Sequence, residues 1–300
     1  MLDVRIDAAA TAEVVPAFAP VFIVGAHRSG TSALYGELAA TGAFAYFTAA
    51  DLVAINARRE GRPEAAAVAE LADVCAKLPS RLIDPTPVTP DFPEEYGFLL
   101  PGRRLSAETV GLFREACERI LSERGRVRVL LKNPWDISEL DFLARTFPEA
   151  RFVVIHRHPA DVVASQRNAL RTLILDGSPY HDLVDPRSGT SRVPLAGRLI
   201  LHIPGAMAIF ATVLMVRLRL RLAALVEALG RLDPRSFIEV RFEDLAADQA
   251  AVLGRIHAFL GLPPPRPAAS FHSGRNHGQN HFRSRLARAF LRSYARRYGY

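Results

Sequence analysis

The sequence predicts a single α/β domain with a central parallel sheet and helices on both faces, and three observations support this fold class. Short apolar runs, typical of strands buried on both faces, recur at residues 21–24, 127–131, 152–155 and 236–240. Each run is followed by a polar turn and then by helical spacing. Neither an internal repeat nor an interdomain linker interrupts the 300 residues, and 49% hydrophobic content suffices for one sizeable core.

Helical patterns fill much of the chain around these strands. We expect helices at residues 31–40, 58–78, 107–124, 138–147, 159–170, 195–229 and 248–260. Five prolines within residues 79–93 predict an irregular surface loop or lid, and residues 176–194 predict turns. We interpret residues 1–19 as an N-terminal extension and residues 263–300 as a basic C-terminal tail, so that residues 1–300 form one domain.

The composition favours an anionic ligand. A net charge of +7 and a pI near 9.9 steer anions toward the protein. Cys75 and Cys117 lie in segments with helical patterns, which suits reduced thiols better than a disulfide framework. The sequence shows no metal-ligand spacing. Because residues 1–20 lack a basic start and an apolar core, they do not resemble a secretory signal, and we expect a cytoplasmic protein.

One apolar stretch leaves room for membrane association. Residues 199–216 contain a single titratable group, His202, and lead into Arg217, Arg219 and Arg221. Eighteen such residues could just span a bilayer. We favour a buried helix with a basic exit and keep peripheral membrane contact as the alternative.

A loop with the spacing of a phosphate cradle follows the first strand. Gly25 and Gly30 bound it, and backbone N–H groups at such a strand-to-helix turn bind anions together with the helix dipole. Thr31 stands where a nucleotide triphosphatase loop carries its lysine, and the cation is Arg28 inside the loop. The pattern therefore disfavours ATP or GTP hydrolysis.

A second cluster follows the third strand. Arg157 comes directly after this strand, and Ser165 lies about two turns into the next helix. Both belong at the carboxyl edge of the sheet, where α/β proteins bind ligands, so they could hold a second phosphate. Two separate phosphate sites suit a bis-phosphorylated nucleotide.

These motifs resemble those of sulfotransferases that use 3'-phosphoadenylyl sulfate. Residues 27–32 resemble the family's 5'-phosphosulfate loop, residues 157–165 its 3'-phosphate motif, and residues 241–245 (RFEDL) its late Tyr-Glu-Asp-Leu segment. The ordered matches cover about residues 21–262. The resemblance implies a P-loop-like fold and metal-free transfer of a sulfonate to an acceptor hydroxyl or amine, which leaves adenosine 3',5'-bisphosphate.

The resemblance also implies roles for individual residues. Lys132, at the end of the second strand, corresponds to the family lysine that neutralises charge on the bridging oxygen as the sulfonate leaves. The residues implied in donor binding are His27, Arg28, Ser29, Gly30, Thr31, Ser32, Arg157 and Ser165.

The general base has no clean match in the sequence. Related proteins place a His four residues after the lysine, where this chain has Asp136, or a Glu after the first helix, where it has Asp51. We expect Asp136, ahead of Asp51, as the catalytic carboxylate, although either could cap a helix. His27, His156 and His158 are further candidates, and Trp135 could wall an acceptor pocket.

The sequence does not identify the acceptor molecule. Small molecules, glycans and lipid-like compounds all qualify, with a weak preference for lipid-like ones from the apolar residues 199–216. We expect no nucleic-acid partner, and the sequence does not indicate an oligomeric state. The alternatives are a P-loop kinase for a small metabolite and a basic membrane-docking protein without catalysis.

Overall fold

The computed structural model describes residues 18–78, 80–83, 86–194, 199, 203, 205–265 and 290–300. Most of the predicted N-terminal extension and residues 266–289 of the predicted basic tail lie outside the described residues. Parts of two predicted segments, the proline-rich loop and the apolar stretch that starts at residue 199, lie outside them as well.

A four-stranded sheet forms the centre of the molecule. Its strands are β1 (Ala19–Val24), β2 (Arg128–Lys132), β3 (Arg151–His156) and β4 (Phe237–Arg241), in the order β2-β1-β3-β4. All three pairings are parallel, so the four carboxyl ends meet at one edge. The predicted parallel sheet is therefore confirmed; β2, β3 and β4 lie within one residue of their predicted positions, and β1 starts two residues earlier than predicted.

Eleven α-helices are defined within the described residues. They are α1 (Thr31–Ala39), α2 (Ala49–Arg59), α3 (Glu64–Lys77), α4 (Val110–Arg124), α5 (Leu140–Thr146), α6 (Pro159–Asp176), α7 (Pro179–Val184), α8 (Ala206–Leu229), α9 (Phe242–Ala247), α10 (Gln249–Leu260) and α11 (Arg292–Arg297). Short 3₁₀ turns occupy Tyr96–Leu99, Pro101–Arg103, Pro134–Ser138 and Thr190–Arg192.

The structure differs from the sequence prediction at α2, α3 and α7. The helix expected at residues 58–78 begins only at Glu64, because Gly61 adopts a φ of 70° and Pro63 precedes the first turn, and residues 58–59 end a separate helix, α2, that was not predicted. The earlier helix, α2, starts from a capping box in which the Thr48 side chain and the Asp51 carboxylate each accept a backbone N–H. Helix α7 lies within residues 176–194, where we expected only turns.

Both faces of the sheet are covered. Alternate side chains of the strands enter two separate cores, with Phe22 and Val154 in one, and Ile23 and Val153 in the other. Helix α1 and helix α10 cover the second core, and most other helices cover the first. Cys75 and Cys117 are buried free thiols.

Helix α8 is only half buried. Its buried face includes Met215, Leu218 and Leu222, while Ile209 and Leu220 are exposed on the opposite face. Among the described residues, none of the helices is sufficiently long and apolar to span a membrane.

Candidate functional site

The loop between β1 and α1 forms a tight cradle at the carboxyl edge of the sheet. The Ser29 N–H and Ser29 Oγ both donate to the Ala26 carbonyl, at 3.0 and 2.8 Å, and Arg28 adopts a φ of 72°. Helix α1 then begins at Thr31 without a side-chain cap. The N–H groups of its first turn, with the positive end of the helix dipole, therefore face the loop as an anion-binding surface.

Gly30 is required by the backbone of this cradle. Its φ is 99°, and an added Cβ would overlap the ring of Phe242. At Gly25, an added Cβ would lie 2.7 Å from Ser29 Oγ and 2.8 Å from the Ile155 carbonyl oxygen. The loop is therefore held against β3 and α9 by two positions without side chains.

We expect Gly30→Ala to destabilise the protein by about 1 to 3 kcal/mol, because alanine at this φ is strained and crowds Phe242. Gly36→Ala is the matched control, since Gly36 lies within α1 with open space around it, and it should be neutral or stabilising by about 0.5 to 1 kcal/mol. Urea-induced unfolding measures both. Equal effects of the two substitutions would contradict this description of the loop.

The first turns of α6 meet the cradle directly. The Arg28 Nε donates to Ser165 Oγ at 3.1 Å, and the Arg157 Nη1 donates to the Arg28 carbonyl at 2.9 Å. The Gln166 side chain donates to the His27 carbonyl at 2.9 Å. Two motifs more than 120 residues apart thus form one cluster, in which two guanidinium groups and a hydroxyl adjoin the helix N-terminus.

Arg157 lies in a partly desolvated position. Burial lowers the pKa of its guanidinium, whereas the carboxylates of Asp161 and Glu243 raise it. Its guanidinium lies 4.4 Å from the centre of the Phe242 ring, and Glu243 accepts a hydrogen bond from the His158 N–H at 2.9 Å. Phe242 and Glu243, from residues 241–245, therefore hold Arg157 and His158 in position.

A buried ion pair lies on the other side of the cradle. Lys132, which is fully buried, donates from Nζ to Ser32 Oγ at 2.9 Å and lies 3.1 Å from Glu95 Oε1. Burial would raise the pKa of Glu95, but the charges of Lys132 and Arg81 and the hydrogen bond from Lys132 hold it below its usual value. The site therefore contains an ionised carboxylate beside the lysine.

The Asp136 carboxylate points into the interior. Its Oδ2 accepts hydrogen bonds from the Tyr96 hydroxyl at 2.7 Å and the Asn133 amide at 2.8 Å, and its Oδ1 accepts the Leu105 N–H at 3.1 Å. Burial raises the pKa of Asp136 to about 6, although these hydrogen bonds lower it. Asp136 thus connects three segments of chain.

The Asp51 carboxylate also has partners within the protein. Besides its part in the capping box of α2, its Oδ2 accepts a hydrogen bond from the Thr48 hydroxyl at 2.7 Å and pairs with Arg124 Nη2 at 2.6 Å. Both predicted candidate carboxylates therefore have intramolecular partners, and Glu95 is the carboxylate in contact with Lys132.

His27 and Trp135 form a wall beside the ion pair. Their rings pack edge to face with centres 4.5 Å apart, and the buried His27 Nε2 and Trp135 Nε1 have no hydrogen-bond partner. Burial lowers the pKa of His27 to about 4; Glu95 opposes this shift, and Arg221 and Lys132 add to it. His27 is therefore neutral near pH 7, with one nitrogen available to a ligand.

The pKa of His27 predicts a pH-dependent stability. A histidine with an unfolded pKa near 6.5 and a folded pKa of about 4 stabilises the fold fully above pH 6.5, and this contribution falls as pH decreases toward 4. Between pH 7 and pH 5, wild type should lose about 2 kcal/mol more than His27→Gln. Urea-induced unfolding at both pH values tests this, and identical losses would contradict it.

The other two candidate histidines have structural partners. His156 lies with Nδ1 2.5 Å from the Tyr294 hydroxyl and Nε2 2.7 Å from Glu239 Oε2. The Nδ1 of His158 accepts the Ala160 N–H at 3.2 Å and so caps α6. Both residues therefore fix the sheet edge and the start of α6.

Sequence reasoning missed Glu95 and Gln166. Glu95 follows the proline-rich loop beside a second acid, Glu94, and an acidic pair in an apolar context was the available signal. Gln166 directly follows Ser165 and gave no signal of its own. Among the described residues, His, Cys, Asp and Glu form no group of three or more that could hold a metal ion.

Comparison with known proteins gives consistent results. Residues 20–185 match the Sulfotransferase family. The chain is 25% identical over 179 residues to omega-hydroxy-beta-dihydromenaquinone-9 sulfotransferase Stf3 of Mycobacterium bovis and of Mycobacterium tuberculosis. This alignment covers 58% of the chain and 39% of those curated relatives, so the chain spans about two fifths of their length.

Two solved structures share the fold. Sulfotransferase STF9 from Mycobacterium avium superimposes with a TM-score of 0.60 at 17% identity, over 94% of this chain and 77% of that one. Sulfotransferase STF1 from Mycobacterium tuberculosis H37Rv gives a TM-score of 0.56 at 20% identity, over 83% and 69% of the two chains.

Proposed function

The chain belongs to the sulfotransferase family, and on this basis we propose that it transfers a sulfonate from 3'-phosphoadenylyl sulfate to a hydroxyl of a lipid-like acceptor. The observation that carries the proposal is the contact between Arg28 and Ser165, which joins the loop after β1 to helix α6. One cradle thereby offers positive charge to two phosphate groups of a single nucleotide.

The donor is held by the groups that meet in this cradle. Arg28 and the N–H groups of residues 29–32 bind the 5'-phosphosulfate, and Arg157 and Ser165 bind the 3'-phosphate. Because Arg28 and Ser165 bond to each other, a bound nucleotide would take over their hydrogen bonds.

Lys132 and Glu95 carry the chemistry in this proposal. The acceptor oxygen attacks the sulfur while the bond from sulfur to the bridging phosphate oxygen breaks, and the Lys132 ammonium stabilises the charge that develops on that oxygen. Glu95 takes the proton of the attacking hydroxyl. As Lys132 turns toward the leaving oxygen, its hold on Glu95 weakens, and the carboxylate becomes a stronger base at that moment.

The acceptor class rests on two considerations. The relative Stf3 is named for an omega-hydroxy-dihydromenaquinone, a long apolar molecule with a hydroxyl. In this chain, the rings of His27 and Trp135 pack together, His27 lies near Glu95, and the His27 Nε2 and Trp135 Nε1 have no hydrogen-bond partner. We propose that the acceptor enters along these rings, and that the His27 Nε2 or the Trp135 N–H orients its hydroxyl.

Thermal unfolding with adenosine 3',5'-bisphosphate tests donor binding. At a ligand concentration of 100 times Kd, binding should add about 2.7 kcal/mol and raise the Tm by several degrees. Arg157→Ala should lose most of this shift. Arg151→Ala is the matched control, because Arg151 lies at the opposite end of the same strand, β3, and should keep the full shift. Equal shifts in both variants would overturn the proposed 3'-phosphate site.

A further inference from the structure

Exposed apolar side chains concentrate on one helix. Of nine large hydrophobic residues exposed within the described part of the chain, four lie on α8, and two more, Leu199 and Ile203, precede it. Four of them, Ile209, Val213, Val216 and Leu220, are 40 to 68% exposed and are spaced by four, three and four residues. This spacing places them in one stripe along α8.

The stripe lies opposite the buried face of α8. Met215, Leu218 and Leu222 pack into the core, about half a turn away from the stripe. A helix that is apolar on both faces is normally buried, so its exposed face indicates a contact surface.

Arginines flank the stripe on both sides. At 100° per residue, the exposed Arg217 and Arg219 lie roughly 70 to 90° to either side of its centre line. The Arg219 guanidinium packs on the Phe290 ring at 4.5 Å and donates to the Phe290 carbonyl at 3.2 Å. The acidic residue of α8, Glu227, lies near the C-terminal end of the helix, and its Oε1 lies 2.7 Å from Arg231 Nη1. The charge along the stripe is therefore positive.

We propose that this stripe docks the protein on the surface of an anionic phospholipid bilayer. Aliphatic side chains enter the interface while flanking arginines reach the lipid phosphates, which is how interfacial amphipathic helices bind. Helix α8 then lies on the bilayer, since no described helix is able to cross one.

A second copy of the chain fits the stripe less well. Stable protein interfaces use about 20 to 30 residues a side, and this stripe has four, or six with Leu199 and Ile203. Packing the stripes of two chains together would also bring the Arg217 and Arg219 side chains of one chain near the same arginines of the other, and these like charges repel each other. The positive rims favour an anionic surface.

Docking would bring the candidate site near the lipid. Arg221, one residue beyond the stripe, lies 5.9 Å from the centre of the Trp135 ring. When α8 is docked, Trp135 and His27, along which we propose that the acceptor enters, would therefore lie close to the membrane surface. This consequence rests on the proposed function, whereas membrane docking itself does not.

Co-sedimentation with vesicles tests the docking surface. The full chain is mixed with phosphatidylcholine vesicles, with or without one third phosphatidylserine, and the bound fraction is measured. We expect binding to anionic vesicles that falls at least tenfold in Ile209→Ser/Leu220→Ser, and about fivefold in Arg217→Gln. Raising the salt concentration should weaken binding, because the lipid surface potential is screened.

The control variant removes two exposed hydrophobic side chains elsewhere in the chain. Leu112→Ser/Val127→Ser changes two exposed hydrophobic residues outside α8 and should bind like wild type. Equal loss in both double variants, or vesicle binding unchanged by Ile209→Ser/Leu220→Ser, would overturn the proposal. So would a dimer, detected by analytical ultracentrifugation, that Ile209→Ser/Leu220→Ser dissociates. The thermal shift with adenosine 3',5'-bisphosphate should be unchanged in this variant, so failure of docking and failure of the donor site give different results.

Discussion

Replacing Lys132 by methionine should lower the rate of sulfonate transfer by about 10²- to 10³-fold, the usual cost of removing one group that stabilises developing charge. The effect should fall on kcat, because the substitution leaves unchanged the contacts among Arg28, Arg157 and Ser165, the proposed donor-binding residues. Transfer of ³⁵S from labelled donor to a hydroxyl-bearing lipid measures it. Lys77→Met is the control, since Lys77 is the chain's other lysine and lies exposed at the end of α3.

Loss of Lys132 leaves Glu95 buried without its ammonium partner, which by itself can cost about 3 to 5 kcal/mol of stability. The double variant Lys132→Met/Glu95→Gln removes both charges and should recover much of this stability, yet stay inactive. If the stable double variant transferred sulfonate at near wild-type rates, neither residue would take part in the reaction.

Glu95→Gln should lower kcat by about 10²- to 10⁴-fold, as expected for removal of a general base. The amide keeps a hydrogen-bond acceptor for Lys132, so binding of adenosine 3',5'-bisphosphate should change little. Because Lys132 holds the pKa of Glu95 below its usual value, wild-type activity should be insensitive to Glu95 titration at neutral pH.

The neighbouring residue supplies a matched control. Glu94 is buried too, but it accepts the Tyr180 hydroxyl at 2.8 Å and lies 3.8 Å from Arg81 Nη2. Glu94→Gln should therefore reduce stability while keeping kcat. A larger loss of kcat in Glu94→Gln than in Glu95→Gln would assign the base elsewhere, and Asp136 and Asp51 would return as candidates.

The sheet and the meeting of the loop after β1 with the start of α6 could be predicted from the sequence for a common physical reason. Strands buried on both faces are continuous apolar runs, and parallel strands bring their carboxyl ends to one edge. That topology places Arg157 close to Arg28, so a contact across 129 residues could be anticipated from local patterns.

The carboxylate beside Lys132 could not be found in this way. Glu95 lies in an irregular segment, and its position beside Lys132 depends on how that segment folds. Irregular segments lack a hydrophobic periodicity from which their conformation could be predicted. Asp136 follows Lys132 in sequence, but the 3₁₀ turn Pro134–Ser138 directs its carboxylate toward Tyr96. Sequence proximity to a reactive residue therefore did not predict contact with it.

Helix α2 shows the same limit at the level of local structure. The charged pattern at residues 58–78 suggested one helix, whereas the positive φ of Gly61 and the proline at residue 63 separate two. Helix capping was the alternative interpretation of Asp51, and the structure places Asp51 as the N3 residue of the capping box that Thr48 begins.

Nucleotide selectivity, measured by isothermal titration calorimetry, tests the central claim most directly. Adenosine 3',5'-bisphosphate should bind about 10- to 100-fold more tightly than adenosine 5'-monophosphate, since charge-assisted hydrogen bonds to the 3'-phosphate contribute about 1.5 to 3 kcal/mol. Arg157→Ala should abolish this preference, and ATP with Mg²⁺ should bind more weakly than the bisphosphate. Tighter binding of ATP with Mg²⁺, or a 3'-phosphate preference that survives in Arg157→Ala, would contradict the account.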